Sequence, residues 1–216
     1  RGLRGTRLVA DRPVVSVDLQ DAWTELLPGQ PALVAELLAR WSEPHRRYHD
    51  ATHLATALDA LTELGGTARV ERLAIWFHDA IHSGRPGVDE TASARLAGDR
   101  LLVAGLARHE VSEVCRLVMV TVHHSPTPDD PAGARVSDAD LAVLGSDATA
   151  YAASVAALRA EATGTPEDVW RETRLARLAE LLTSEPLFHT ATGRHRWLVR
   201  ARTNLLAEQQ ELLDAT

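Results

Sequence analysis

His78-Asp79 sets an imidazole beside a carboxylate directly after Ala74-Ile75-Trp76-Phe77, an apolar approach that carries both into a poorly hydrated interior. Burying either group alone is costly, and a divalent cation held jointly by the two satisfies both. Taken by itself, the dipeptide reads better as a hydrogen-bonded core pair. Three further segments favour the cation. Upstream, Arg46-Arg47-Tyr48-His49-Asp50-Ala51-Thr52-His53 sets two histidines four apart at the start of an apolar helical run. Downstream, Thr121-Val122-His123-His124 closes an apolar helix, and Ser137-Asp138-Ala139-Asp140-Leu141 opens another with two acids. A histidine, a His-Asp pair and an aspartate on separate helices form a nitrogen and oxygen donor set that can close around one ion. Of ten histidines, eight fall between His45 and His124. The lone cysteine, Cys115, sits in an apolar run, reads as an inert buried thiol and takes no role.

Positioning these residues falls to helices. Leu33, Leu37, Leu38 and Trp41 recur at helical spacing until Pro44 stops the run. Asp50 caps a second helix carrying Leu54, Ala57, Leu58, Leu61 and Leu64, which Gly65-Gly66 closes. A third runs from Ala68 through Phe77 to the loop Gly84-Arg85-Pro86-Gly87, a fourth starts near Asp89, and a fifth runs from His109 to His124. Pro126, Pro128 and Pro131 keep the next stretch out of helix, so that a short helix covers Asp138 to Leu144 and ends at Gly145. Asp147 caps a helix reaching Thr163, Thr165-Pro166-Glu167-Asp168 opens another, and a final helix carries Trp197, Leu198, Leu205, Leu206 and Leu212. No stretch alternates as paired strands do. The expectation is an all-α fold, a single globular domain of about eight or nine helices over residues 19–216, with residues 1–18 an N-terminal arm or tail.

Composition narrows the partners. The 216 residues are 45% apolar and 25% charged, ordinary globular values. A net charge of −7 argues against a nonspecific grip on nucleic acid. No apolar run approaches the roughly 18 residues of a membrane span, and the opening residues lack the apolar core of a secretion signal, so the expected compartment is the cytoplasm. Every basic residue among the Lys and Arg set is arginine, which reads as codon bias. Arg46 stands out among them because a guanidinium fork fits phosphate oxygens bidentately and lies close in sequence to His49 and His53.

The order of these motifs resembles the HD superfamily of metal-dependent phosphohydrolases. Arg46-x-Tyr48-His49-x-x-x-His53, Trp76-Phe77-His78-Asp79-Ala80-Ile81, Glu90-x-x-Ser93, Thr121-x-x-His124 and Asp138-Ala139-Asp140-Leu141-x-x-Leu144-Gly145 are similar to a bacterial subgroup of predicted phosphohydrolases. Tyr151, Arg159, Glu161 and Ala201-Arg202-Thr203-Asn204-Leu205 extend the likeness over most of the chain. The resemblance implies an HD-type helical domain in which His53, His78, Asp79 and Asp140 hold one divalent ion, with Mn²⁺, Fe²⁺, Zn²⁺ and Mg²⁺ all compatible. His53 is favoured over His49 by its place before the helical run, and Asp140 over Asp138 by the leucine that follows it. Catalytic roles fall to Asp79 and to Glu90, a carboxylate near the attacking water. Glu90 reads equally well as a helix-start acid. Arg46, His49 and His124 are the expected substrate-binding residues. His82 stands where an aromatic is expected and reads as a variable pocket or surface residue, and Thr173-Arg174 replaces a Gly-Arg pair. One ion is favoured over two; a second would draw on His49, His124 and Asp138. The implied activity is hydrolysis of a phosphate ester, of a nucleotide or another small phosphorylated metabolite. The competing class is a metal-containing binding or sensor protein without turnover.

Overall fold

The computed structural model describes residues 18–215. Among them lie ten α-helices and no strand: α1 (Leu19–Leu26), α2 (Pro31–Trp41), α3 (Ala51–Glu63), α4 (Arg69–Phe77), α5 (Val88–Val103), α6 (Arg108–Val120), α7 (Pro131–Asp140), α8 (Ala148–Glu161), α9 (Glu167–Thr183) and α10 (Ala191–Asp214). A 3₁₀ turn, Leu141–Gly145, continues α7. The all-α expectation holds, with one helix more than its upper count. The addition is α1, too short for a periodic signal but capped by Asp18, which accepts from the N–H groups of Gln20 and Asp21. Residues 1–17 of the expected arm lie outside the described residues.

The fold is built around α4. Leu73, Ala74, Ile75, Trp76 and Phe77 are all buried, so this helix has no solvent face over its last turns. It packs on α3, α5, α6 and α7, and Trp23 of α1 meets Trp76 edge-on at 5.0 Å. Trp41, at the end of α2, donates from Nε1 to the Trp76 carbonyl at 3.1 Å. The C-terminal end of α4 therefore opens into the core, and whatever follows Phe77 starts its turn there.

Two boundaries depart from expectation. The helix bearing Asp140 begins at Pro131 rather than near Asp138, because proline at the first helical position forfeits only an N–H that would be unpaired anyway, and Asp130 caps it by accepting from Gly133 N–H at 2.9 Å. The helix before it stops at Val120, and His124 lies beyond its end with φ of 50°. The C-terminal helix then braces this region. Asn204 donates to the carbonyls of Leu144 at 2.9 Å and Ser146 at 3.0 Å, and a Cβ on Gly145 would come within 2.3 Å of the Trp197 side chain.

Candidate metal centre

Three chain segments deliver the donor atoms. Asp50 accepts from the N–H groups of Thr52 at 2.8 Å and His53 at 3.2 Å, which starts α3 and seats His53 in its first turn. His78 and Asp79 occupy the turn at the buried end of α4, and Asp140 is the last residue of α7. The side chains converge. His53 Nε2 lies 3.1 Å from His78 Nε2, and Asp140 Oδ1 lies 3.1 Å from the first and 3.4 Å from the second. Asp79 Oδ2 is 3.1 Å from His78 Nε2 and 3.8 Å from His53 Nε2. Donors that share a small divalent ion at about 2.0–2.2 Å stand roughly 3.0–3.6 Å from their neighbours, so this spacing fits one ion. His53, His78 and Asp140 form the tighter set, with donor atoms all within 4.8 Å of one another, and Asp79 stands at its edge.

Ring orientation supports the same use. His78 Nδ1 lies 2.8 Å from the Ile75 carbonyl, which can only accept, so Nδ1 carries a proton and Nε2 is the ring atom turned to the cluster, free to bind an ion once its own proton is displaced. Burial pulls the His78 imidazole down, but the charges of Asp79 and Asp140 overcome it and hold the ring well above its ordinary value. Burial raises Asp79 and Asp140, but the His78 charge, the hydrogen bonds from the neighbouring imidazoles and the charges of His49 beside Asp79 and His53 beside Asp140 together outweigh it, drawing both carboxyls below the usual range. Each centre strengthens the charged form of the other, which is the field a cation would meet on entering. Tyr48, its ring 5.1 Å from that of His53, is pushed up by burial and by Asp140 and keeps its phenolic proton.

The Asp138 and Asp140 alternatives separate cleanly. Asp138 is sealed, and its carboxylate accepts from His189 N–H at 2.7 Å, Thr190 N–H at 2.8 Å and Thr190 Oγ1 at 2.7 Å. It seats the start of α10 and takes no part in the donor set. Asp138→Ala is expected to lower unfolding free energy by about 3 kcal/mol in chemical denaturation, whereas Asp140→Ala, which seats no helix, is expected to cost under about 1 kcal/mol without added metal.

Other expected site residues land elsewhere. Arg46 is not available to phosphate, because its side chain is 0% exposed and its donors are engaged. Nη1 donates to the carbonyls of His49 at 2.9 Å and Asp79 at 2.8 Å, Nη2 to that of Ala80 at 3.3 Å, and Nε to Glu43 at 3.0 Å. It straps the segment before α3 to the turn after α4. Charge was legible in the sequence, but direction was not. His124 lies behind the centre, with Nε2 3.7 Å from Asp140 Oδ2, and burial pushes it down to about 4. It borders a cavity of about 760 Å³, walled by Pro126, Pro128 and His189 among others, which none of the four donors lines. The pocket that reaches the centre is a smaller one of about 330 Å³, bordered by Asp79, His49, His82, Glu90 and Glu161. Glu90 thus faces the pocket while its Oε2 accepts from Gly87 N–H at 2.5 Å, so both of its readings have a physical basis. Ser93 of the same motif holds the turn, accepting from Ile81 N–H at 2.9 Å.

His49 is drawn into a second group. Its Nδ1 lies 2.5 Å from Glu161 Oε1, which is also 2.9 Å from His82 Nε2. The proposed partners His124 and Asp138 do not join it. The sequence assigns Glu161 no role of its own, and His82 reads there as a variable pocket or surface residue. The one available signal was its spacing of one helical turn from His78. Arg174 pairs both oxygens of Glu208, at 2.6 and 2.9 Å, and is tied to Tyr151 through the same carboxylate, away from the pocket. No protein-family model, curated protein or solved structure matches the chain. Among the described residues, no single helix is long and apolar enough to cross a membrane.

Proposed function

We propose that the chain is a metal-dependent hydrolase of phosphate esters, acting on a nucleotide or another small phosphorylated metabolite. The observation that carries this reading is the convergence of His53, His78, Asp79 and Asp140 beside the pocket of about 330 Å³ that Asp79 borders. A divalent ion held there supplies an activated water and neutralises charge on a nonbridging phosphate oxygen. The remaining work belongs to the side chains. His53, His78 and Asp140 fix the ion from the buried side, and Asp79 completes the set at the pocket edge. Glu90 keeps Oε1 outside its contact with Gly87 and takes a proton from the attacking water. His49, with Nε2 4.0 Å from Asp79 Oδ2, lines the same space and donates to a phosphate oxygen.

The test is a phosphate-release screen over mononucleotides and sugar phosphates with Mn²⁺. Asp79→Ala is expected to lose metal and hydrolysis together. Glu90→Gln is expected to keep the ion and its helix start, since the amide oxygen still accepts from Gly87, while its rate falls about 10²-fold. An unchanged rate would leave Glu90 with the helix start alone. Tight binding of a nucleotide by metal-loaded protein with no phosphate release would replace the hydrolase reading with that of a sensor.

A further inference from the structure

We propose that His49, His82 and Glu161 form a second divalent-cation site, next to the first and opening onto the same pocket. The assignment of the site rests on these side chains alone, and its use in catalysis rests on the hydrolase reading above.

The donor set is of the right kind and its carboxylate is held in place. Glu161 Oε1 lies 2.5 Å from His49 Nδ1 and 2.9 Å from His82 Nε2, so an entering ion would displace the proton shared there and part the closer pair to about 3 Å. Two imidazoles and a carboxylate, each offering one atom within 4.8 Å of the others, match the three-ligand sets of catalytic divalent ions, which leave remaining positions for water or substrate. Glu161, the last residue of α8, has its Oε2 fixed by the N–H groups of Arg47 at 2.8 Å, Tyr48 at 3.0 Å and His49 at 3.0 Å. Those contacts pin the carboxylate and leave Oε1 facing the two rings. The rings of His49 and His82 stand 4.1 Å apart and 28° from parallel. His45 supports His82 from outside, its Nε2 lying 2.9 Å from the His82 carbonyl and its ring parallel within 4°. Donors whose orientation is set by surrounding hydrogen bonds and stacking are what a metal site requires beyond ligand identity. The group is also shielded, with the Glu161 side chain 8% exposed and that of His82 13%.

Charge in the pocket gives the ion a use. Asp79, Asp89, Glu90 and Glu161 all border it, against a single guanidinium, Arg85, whose Nε donates to Ser83 Oγ at 3.0 Å. Arg46 is sealed away from it. An anionic substrate would meet a net negative wall, and one ion among the four inner donors leaves that wall uncompensated at its outer end. A cation at His49, His82 and Glu161 sits at that end. It also fixes a tautomer. With Nδ1 on the ion, His49 carries its proton on Nε2, the atom 4.0 Å from Asp79, where a donor to substrate oxygen is needed. The alternative occupant of the group is a proton, with Glu161 hydrogen-bonded between two imidazoles and no ion.

Ion counting separates the two. Chelator-stripped protein reloaded with Mn²⁺ and dialysed is expected to retain two ions per chain by elemental analysis, and to show an electron paramagnetic resonance spectrum broadened by dipolar coupling between neighbouring Mn²⁺ ions. His82→Phe, which preserves ring volume, is expected to retain one ion and the uncoupled spectrum. Asp140→Ala is expected to lose the inner ion and keep the outer. Circular dichroism confirms folding of each, and Glu161→Gln serves as a second outer-site variant should His82→Phe fail to fold. Saturation of the wild type at one ion, or two ions retained in His82→Phe, would overturn the proposal. Hydrolysis by a one-ion wild type would sink the second site and keep the hydrolase, while two ions without hydrolysis would do the reverse.

Discussion

Arg46→Ala is expected to lower the free energy of unfolding by about 3–4 kcal/mol, read from urea midpoints at constant slope. The guanidinium is fully enclosed and reaches three backbone carbonyls, those of His49, Asp79 and Ala80, in two segments that no backbone hydrogen bond joins. Removing it leaves those carbonyls short of a charged donor and opens a void against Trp41, whose ring centroid lies 5.5 Å from the guanidinium carbon. Arg46→Lys is expected to stay destabilised, because one ammonium cannot span the positions that a planar fork covers. A weaker grip on the inner ion should accompany the loss, since Asp79 and the segment leading to His53 drift independently once unstrapped. A cost below about 1 kcal/mol would mean that water replaces the guanidinium.

The contrast between Arg46 and the inner donors shows what kind of information a sequence carries. His53, His78, Asp79 and Asp140 stand out because the order of their motifs resembles that of a known superfamily, while the cap, the apolar run and the following leucine at their helix boundaries place them near the core without making them ligands. Arg46 offered only its charge, and nothing local determines whether a long side chain turns outward to solvent or back under its own segment. Glu161 was harder still. Its partners at residues 47–49 stand more than a hundred residues earlier and His82 about eighty, and the contacts with the first three exist only because α8 returns to the start of α3. Helix limits failed where one residue type serves two purposes. Pro131 both ends a loop and opens α7, and the loop reading hid the first turns of the helix that carries Asp140.

Each divalent ion bound is expected to raise the melting temperature by roughly 5–10 °C, and the inner ion's share of the gain should vanish in His78→Ala and Asp140→Ala. A ligand at a hundred times its dissociation constant that binds only the folded chain stabilises by about 2.7 kcal/mol, and a domain of this size gains roughly 2–4 °C per kcal/mol. Only the folded chain offers the site. His53 and His78 are 25 residues apart in sequence yet 3.1 Å apart between ring nitrogens, and Asp140 arrives from a third helix. In the unfolded chain these donors disperse and bind weakly, so nearly all of the binding free energy appears as stability. Asp138→Ala supplies the discriminating control. It lowers the baseline by unseating α10, yet it removes no donor, so its cation-induced shift should match that of the wild type. Equal shifts in His78→Ala and the wild type would place the bound ion elsewhere. Loss of the shift in Asp138→Ala alone would make the first acid of the pair the ligand and return Asp140 to its neighbours.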